Sequence, residues 1–470
     1  MTLPIYPNTI SIDALRTEFN VTGEKSLGSF YAGAGIVSSG TQGFPLGVST
    51  NIPSTGNSIS LGNFHGASAL PYNYSYKISA SASYRSPYFI SYSGDRIIGQ
   101  TVYNGANKIF VRSGDSWSEE GSLLVSDEDG TNRVLANSAL LSSDGSVAVV
   151  VEPSESLSPT YVNNGAAHVF TRSGSTWTYV QKLRPSQPYS QGYFSGGGVT
   201  ASSNGNTLIF GSPAEKSGPT WYGRVTIFTK SGSSWAQENT ITGPSVEASF
   251  GGTVATDHAG TTLVVGNKKY YNTSTGITDG RIYIYTKSGT AWTNIAMWTP
   301  TYHPTDFGIS NTYSRPFMNA TNYGEGGVGQ SVAISGDGNT IAAGAMGNYG
   351  VAGWVFIFRK INNQWTYITS FTGDAAGDEF GWYVSLSYDG NILVTSTPAV
   401  DVPAILVGAM YIYKRDTSTG TWSFVRKHQR PELLVQNSWF GSPSAITPDA
   451  NYIFSSVGYY TQTGIYVYKV

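Results

Sequence analysis

Residues 331–345 read SVAISGDGNTIAAGA, a glycine-rich turn between small apolar runs of the kind that can open a phosphate-cradling loop. That chemistry needs a Lys-Ser/Thr pair or a GxGxxG run leading into a helix. Here Ala342 to Asn348 follow, with no amphipathic helix behind them. Asp337-Gly338 therefore predicts a tight hairpin turn, in which glycine takes a positive φ. The acids are equally unpromising for catalysis. Glycoside hydrolysis wants two facing carboxylates, whereas Glu247, Asp306, Glu325 and Asp401 fall in separate loops with no repeat linking them. Asp127-Glu128-Asp129-Gly130 is the one dense acidic cluster and reads as a solvated loop between units. The 5 histidines include no HExxH and no pair at metal-ligand spacing, and cysteine is absent. No catalytic residue, metal or cofactor is assigned from the sequence, and the chain is expected not to be an enzyme.

Composition agrees with a binding or structural role. The chain has 470 residues, 40% hydrophobic, with only 12% charged, 13% aromatic, 32 tyrosines and 56 glycines. Low charge with abundant Gly, Ser, Thr, Asn and Tyr describes an all-β protein with many turns. A net charge of −2 without a basic block disfavours nucleic acid. The start, MTLPIYPNTISIDALRTEF, lacks the basic and apolar regions of a Sec-type signal peptide. No apolar run reaches the ~18 residues of a transmembrane helix, so no membrane insertion is expected.

The opening stretch recurs. SSDGSVAVV at 142–150, SSNGNTLIF at 202–210, DHAGTTLVV at 257–265, SYDGNILVT at 387–395 and TPDANYIFS at 447–455 share its form. A degenerate copy, YSGDRIIGQ at 92–100, opens the series. A second motif runs in step, from IFVRSGDSW ending at Trp117 through Trp177, Trp235, Trp292 and Trp365 to IYKRDTSTGTW ending at Trp422. Seven units result, each offering four short strands with alternating apolar residues. One such sheet cannot bury both faces, so the units must stack around an axis. The expected fold is all-β, a seven-bladed β-propeller of four-stranded blades over residues 71–470. The seventh unit ends at its third strand, GIYVYKV, while a strand-like run at 72–83 precedes the first. A ring must not leave an open edge, so this N-terminal strand is predicted to complete the last blade.

Phe250-Gly251-Gly252, Phe380-Gly381 and Phe440-Gly441 precede first strands, and Asp-Gly-Asn turns follow. In these marks residues 72–470 resemble the FG-GAP repeats of integrin-α-type seven-bladed propellers. That family often places a calcium cage of the type Asp-x-Asp-x-Asp-Gly in the first hairpin turn. Each turn here carries one or two acidic or amide groups, too few for the six to eight oxygens calcium prefers. The SGSTW and SGDSW turns look like sialidase Asp-boxes, but the aspartate is missing from its usual place.

Residues 1–70 differ in character. ISIDALRTEF at 10–19, SLGSFYAGAG at 26–35 and ISLGNFHGAS at 59–68 cannot form a useful core alone. A capped short helix through Leu15 and Phe19 is expected, and docking elsewhere through Leu27, Phe30, Tyr31, Leu61 and Phe64. The pattern resembles the leader of tailed-bacteriophage virion proteins, familiar among marine myoviruses. The resemblance implies a small irregular anchoring segment that binds other virion proteins, with several copies on the particle and the virion as location.

Strand order then assigns the faces. The 1–2 and 3–4 turns are short and uniform and share one face of the disc; the 2–3 and 4–1 loops are long, unlike one another and share the other. Irregular loops on a rigid scaffold are where binding concentrates. They carry Tyr103, Tyr161, Trp221, Tyr222, Tyr270, Tyr271, Tyr349, Tyr459 and Tyr460, and the insertion at 299–326 adds Tyr302, His303, Tyr313, Arg315 and Tyr323. Tyrosine supplies rigid contact area with a polar tip, suited to a host-surface glycan or a neighbouring protein. The expected function is that of a tail, neck or baseplate-associated fibre or adhesin. A secreted FG-GAP-type adhesin and a propeller glycan hydrolase are the alternatives.

Overall fold

In the computed structural model, residues 74–78 and 91–470 are described, apart from 101–106, 115, 127–131, 134–137, 157–162, 188–191, 214–215, 218–219, 245–248, 270, 273–276, 279, 300–326, 347–352, 376, 399–407, 429–439, 442–443 and 457–464. The described residues form seven four-stranded antiparallel sheets and three two-stranded ribbons, and contain no helix. Blade 1 comprises Ser91–Ser93, Arg96–Gln100, Asn107–Ser113 and Ser116–Leu123. Blade 2 comprises Ser138–Leu141, Val147–Glu152, Ala166–Ser173 and Thr176–Leu183. Blade 3 takes Val199–Ala201, Thr207–Ser212, Arg224–Ser231 and Ser234–Thr242; blade 4 takes Thr253–Thr256, Thr262–Asn267, Arg281–Ser288 and Ala291–Trp298. Blade 5 takes Ser331–Ile334, Thr340–Ala345, Trp354–Ile361 and Gln364–Thr372; blade 6 takes Tyr383–Leu386, Ile392–Thr397, Ala409–Arg415 and Trp422–His428.

Blade 7 carries Ser444–Ile446, Tyr452–Ser456 and Ile465–Lys469, and its outer strand is Tyr74–Ile78. The predicted closure is present over Tyr74–Ile78; the rest of 72–83 lies outside the described residues. Tyr74 pairs with Tyr468 and Ile78 with Ile465. Cluster packing seals the same seam, with Trp117 of blade 1 edge-on to Phe454 of blade 7 at 5.5 Å.

Sequence dictates depth in the blade. Second strands such as Thr207–Ser212 and Thr262–Asn267 are buried throughout, because blades cover both of their faces. Fourth strands face solvent at the rim and are largely half-buried or exposed, as in Thr176–Leu183. In blades 1–6 the register between third and fourth strands slips at one equivalent place, for instance between Val169 and Phe170 and between Ile357 and Phe358. Such a bulge adds local twist, which each blade needs to fan away from its neighbour. The tryptophans of the second motif serve packing, as expected: Trp117, Trp235 and Trp365 are buried, and the Trp235 indole Nε1–H donates to Gly205 O at 2.9 Å.

Blades join through the Phe-Gly pairs. Phe250, Phe380 and Phe440 are fully buried against the preceding blade, each over a glycine at the start of a third strand. A Cβ at Gly353 would overlap the Phe380 backbone, so this close approach admits only glycine. Parallel bridges Gly280 to Val328 and Gly408 to Phe440 hold the same junction elsewhere.

Candidate functional site

The face of short turns is built by backbone. The Arg172 N–H donates to Ser146 O and the Lys230 N–H to Asn206 O, which puts the end of each third strand beside its own 1–2 turn. Around the axis the turns bond to one another. Asp144 N–H donates to Ser203 O, Ser203 N–H to His258 O, His258 N–H to Gly336 O, Asp337 N–H to Tyr388 O and Tyr388 N–H to Pro448 O, all at 2.9–3.2 Å. This collar links blades 2 to 7 in order. Val470 also ends on this face, its N–H donating to Asn451 O. Tyr74 pairs beside that end, so the closing strand begins on the short-turn face.

The opposite face carries the unlike loops. Two of the 2–3 loops form ribbons, Lys216–Ser217 with Thr220–Trp221 in blade 3 and Tyr271–Asn272 with Ile277–Thr278 in blade 4. The sequence-predicted Trp221 and Tyr271 are thus placed on neighbouring ribbons, and half-buried Tyr222 follows Trp221, its backbone pressed against Gly243. Tyr103, Tyr161, Tyr270, Tyr302, His303, Tyr313, Arg315, Tyr323, Tyr349, Tyr459 and Tyr460 lie outside the described residues. So do Leu15, Phe19, Leu27, Phe30, Tyr31, Leu61 and Phe64, the acids Glu247, Asp306, Glu325 and Asp401, and the cluster 127–130.

Two charged clusters on this face were not anticipated. In blade 2, Glu155 is buried and accepts from Lys182 Nζ at 2.7 Å, from Arg184, and from His168 Nε2 at 3.3 Å. Burial pushes the Glu155 carboxyl up, but the His168, Lys182 and Arg184 partners outweigh it and hold the group at about 2. Glu152 lies 3.9 Å from the same imidazole nitrogen. Ligand atoms of Glu152, Glu155 and His168 fall within 4.8 Å of one another, a spacing that can hold a metal ion. Two cations already neutralise Glu155, however, and a metal would have to displace them. The donor set fits a buried ion-pair network better than a cation site.

In blade 6, Asp374 accepts from Lys427 Nζ at 2.7 Å and from the Tyr411 hydroxyl at 2.8 Å. Burial raises the Asp374 carboxyl, yet the Lys427 and Tyr411 hydrogen bonds bring it below the usual value, while burial and Asp374 push the Tyr411 phenol up. Nearby Asp378 is raised by burial, which outweighs the Phe380 and Ala375 N–H groups it accepts from; Glu379 is raised by burial and by Asp378. An ionised acid beside acids held toward neutrality is an arrangement acid–base catalysis uses. Asp378 is nevertheless only 4% exposed and packs against Gly373, so it braces its loop instead of facing a cleft.

A partial signal for the blade 2 cluster existed in the repeats. Register places His168 where blades 4 to 7 have the aromatics Tyr283, Phe356, Tyr411 and Tyr466. Blades 1 and 3 carry Lys108 and Thr226 in the same row, so the polar residue is shared by three blades and His168 is the one of them that meets a buried carboxylate.

Comparison with known proteins adds little to this geometry. No family model and no curated protein matches the sequence. Among solved structures, the WD40 repeats of RRP9 align at 7% identity over 84% of this chain and 96% of that one, with a TM-score of 0.49. A protein from Lactobacillus plantarum aligns at 11% identity, covering 73% and 84%, with a TM-score of 0.48. A putative 6-phosphogluconolactonase from Bacteroides fragilis aligns at 13% identity, covering 78% and 92%, with a TM-score of 0.46. Likeness at this level says nothing of activity.

Proposed function

We propose that the chain is a non-enzymatic structural protein of a tailed-bacteriophage virion, associated with tail, neck or baseplate, whose propeller presents its irregular face to a host-surface glycan or a neighbouring virion protein. The observation that carries this reading is the direction of the closing strand. Tyr74 lies beside Tyr468 at the short-turn face, so the closing strand begins on the side opposite the Trp221 and Tyr271 ribbons. A tether on one face leaves the aromatic loops of the other free, the layout an adhesin requires. The leader-like pattern of residues 1–70 assigns the receiving surface to other virion proteins, in several copies. The Phe-Gly pairs seated over glycine support an FG-GAP repeat type for the blades.

The test uses the purified full chain and the triple variant Trp221→Ala, Tyr222→Ala, Tyr271→Ala. Retention on host cells or on immobilised envelope polysaccharide is expected for the native chain and lost in the variant, with melting temperature retained. Equal retention of both proteins would remove these ribbons from the binding face. Absence of the chain from purified particles, judged by mass spectrometry, would end the virion assignment.

A further inference from the structure

One side chain on the short-turn face reaches further than its turn requires. His258 occupies the second position of the blade 4 turn, where the other blades have Gly94, Ser143, Ser203, Gly336, Tyr388 and Pro448. Its backbone bonds to blade 3 through Ser203 N and to blade 5 through Gly336 O, at 2.9 and 3.1 Å. Its imidazole Nε2 lies 3.3 Å from Ser143 Oγ of blade 2, skipping blade 3. The other side of the ring meets Tyr388 of blade 6 edge-on, with centroids 4.9 Å apart, skipping blade 5. A single residue thus touches four other blades. Gly336 makes the last contact possible: a Cβ there would overlap the Tyr388 ring and come within 2.9 Å of the imidazole.

We propose that His258 is the axial keystone of the ring, and that protonating its imidazole loosens the collar on the face where the closing strand begins. The inference rests on the collar alone and is independent of the virion reading.

The charged surroundings offer a protonated ring little compensation. Asp257 precedes it, but that carboxylate accepts from Thr261 N and Thr262 N in its own turn. On blade 2, Asp144 accepts from Ser142 Oγ and Ser146 N; on blades 5 and 6, Asp337 and Asp389 accept from the Asn339 and Asn391 N–H groups. Blade 3 presents Ser203 and Asn204, neither ionisable, and blade 6 adds the Tyr388 phenol. Burial lowers the His258 pKa and Asp257 only partly opposes it. The folded state therefore prefers the neutral ring, while the unfolded chain takes up a proton near 6.5. The contribution of this group is full above that value and falls as pH drops through it toward the lower folded value.

Amide hydrogen exchange on the full chain, corrected for its intrinsic pH dependence, reads this directly. Between pH 7.5 and 5, protection of the peptides containing Ser203, His258 and Asp337 is expected to fall about tenfold together, with second-strand peptides such as Val147–Glu152 unchanged. His258→Gln keeps a polar partner for Ser143 without a titrating ring and is expected to lose the pH dependence. Gly336→Ala, which drives Tyr388 off the imidazole, is expected to lower collar protection already at pH 7.5. Unchanged wild-type protection across the range, or the same pH-dependent fall in His258→Gln, would overturn the proposal. Should that variant fail to fold, NMR titration of the His258 ring in the native chain decides. A midpoint that coincides with the loss of collar protection supports the keystone, and one that does not coincide contradicts it.

Discussion

The two faces of the disc are cut from the same strands but held by different means. On the short-turn face, blades 2 to 7 are joined turn to turn by backbone hydrogen bonds that recur under different side chains, with the His258 imidazole reaching across them to Ser143 and Tyr388. The second turn position accordingly accepts Ser, His, Gly, Tyr and Pro without losing the collar. On the irregular face, neighbouring loops are braced by particular side chains: Glu155 with His168, Lys182 and Arg184 in blade 2, Asp374 with Tyr411 and Lys427 in blade 6. Repetition closes a ring; variation leaves a surface that differs from blade to blade without touching the frame.

The largest effect tests closure. Deleting residues 1–78 leaves the third strand of blade 7, Ile465–Lys469, as an unpaired edge. The truncated chain is expected to aggregate on size-exclusion chromatography, where the full chain elutes as a discrete species. Next come the blade junctions. Phe250→Ala empties a fully buried position and is expected to cost about 3–5 kcal/mol in denaturant unfolding.

The charged brace of the irregular face ranks third. Glu155→Gln leaves Lys182 and Arg184 without their carboxylate, an expected loss of about 2–4 kcal/mol, reduced by the partial exposure of Lys182. The folded carboxyl is held at about 2, below its unfolded value. Its stabilisation is therefore complete above about pH 5 and disappears as pH falls toward 2. The difference in unfolding free energy between native and variant chains is expected to shrink over that window. Smallest is the effect of removing the ribbon aromatics Trp221, Tyr222 and Tyr271. Unfolding is expected to change by about 0.5 kcal/mol per site, because these positions lie in the 2–3 loops, outside the seven four-stranded sheets.

Which features could be read from the chain depended on how local their causes are. The Asp-Gly turn at 337–338 and the Ser-Gly turns before Trp117, Trp177, Trp235 and Trp292 are short-range signals, and the recurrence of the two motifs set the number of blades. The closing strand Tyr74–Ile78 followed from a counting argument, since a seventh unit with three strands needs a fourth. Phe380 over Gly353 was visible as a motif, although its role as a blade junction emerged only when the glycine and the ring were seen in contact. The clusters were not legible because register, not proximity in sequence, assembles them. His168 meets Glu155 from 13 positions away, Lys427 meets Asp374 from 53 and His258 meets Ser143 from 115. A row-by-row comparison of blades separates Lys108, His168 and Thr226 in blades 1 to 3 from the aromatics of blades 4 to 7, without singling out His168 among the three.

Electron cryomicroscopy of a particle carrying this chain tests the layout most directly, at a resolution that separates short turns from long loops. The density should show the collar side turned toward the particle, with Tyr74–Ile78 of the same chain as the outer strand of blade 7. Density with the Trp221 and Tyr271 ribbons packed against the particle, or a blade completed by a strand from another copy, would contradict it.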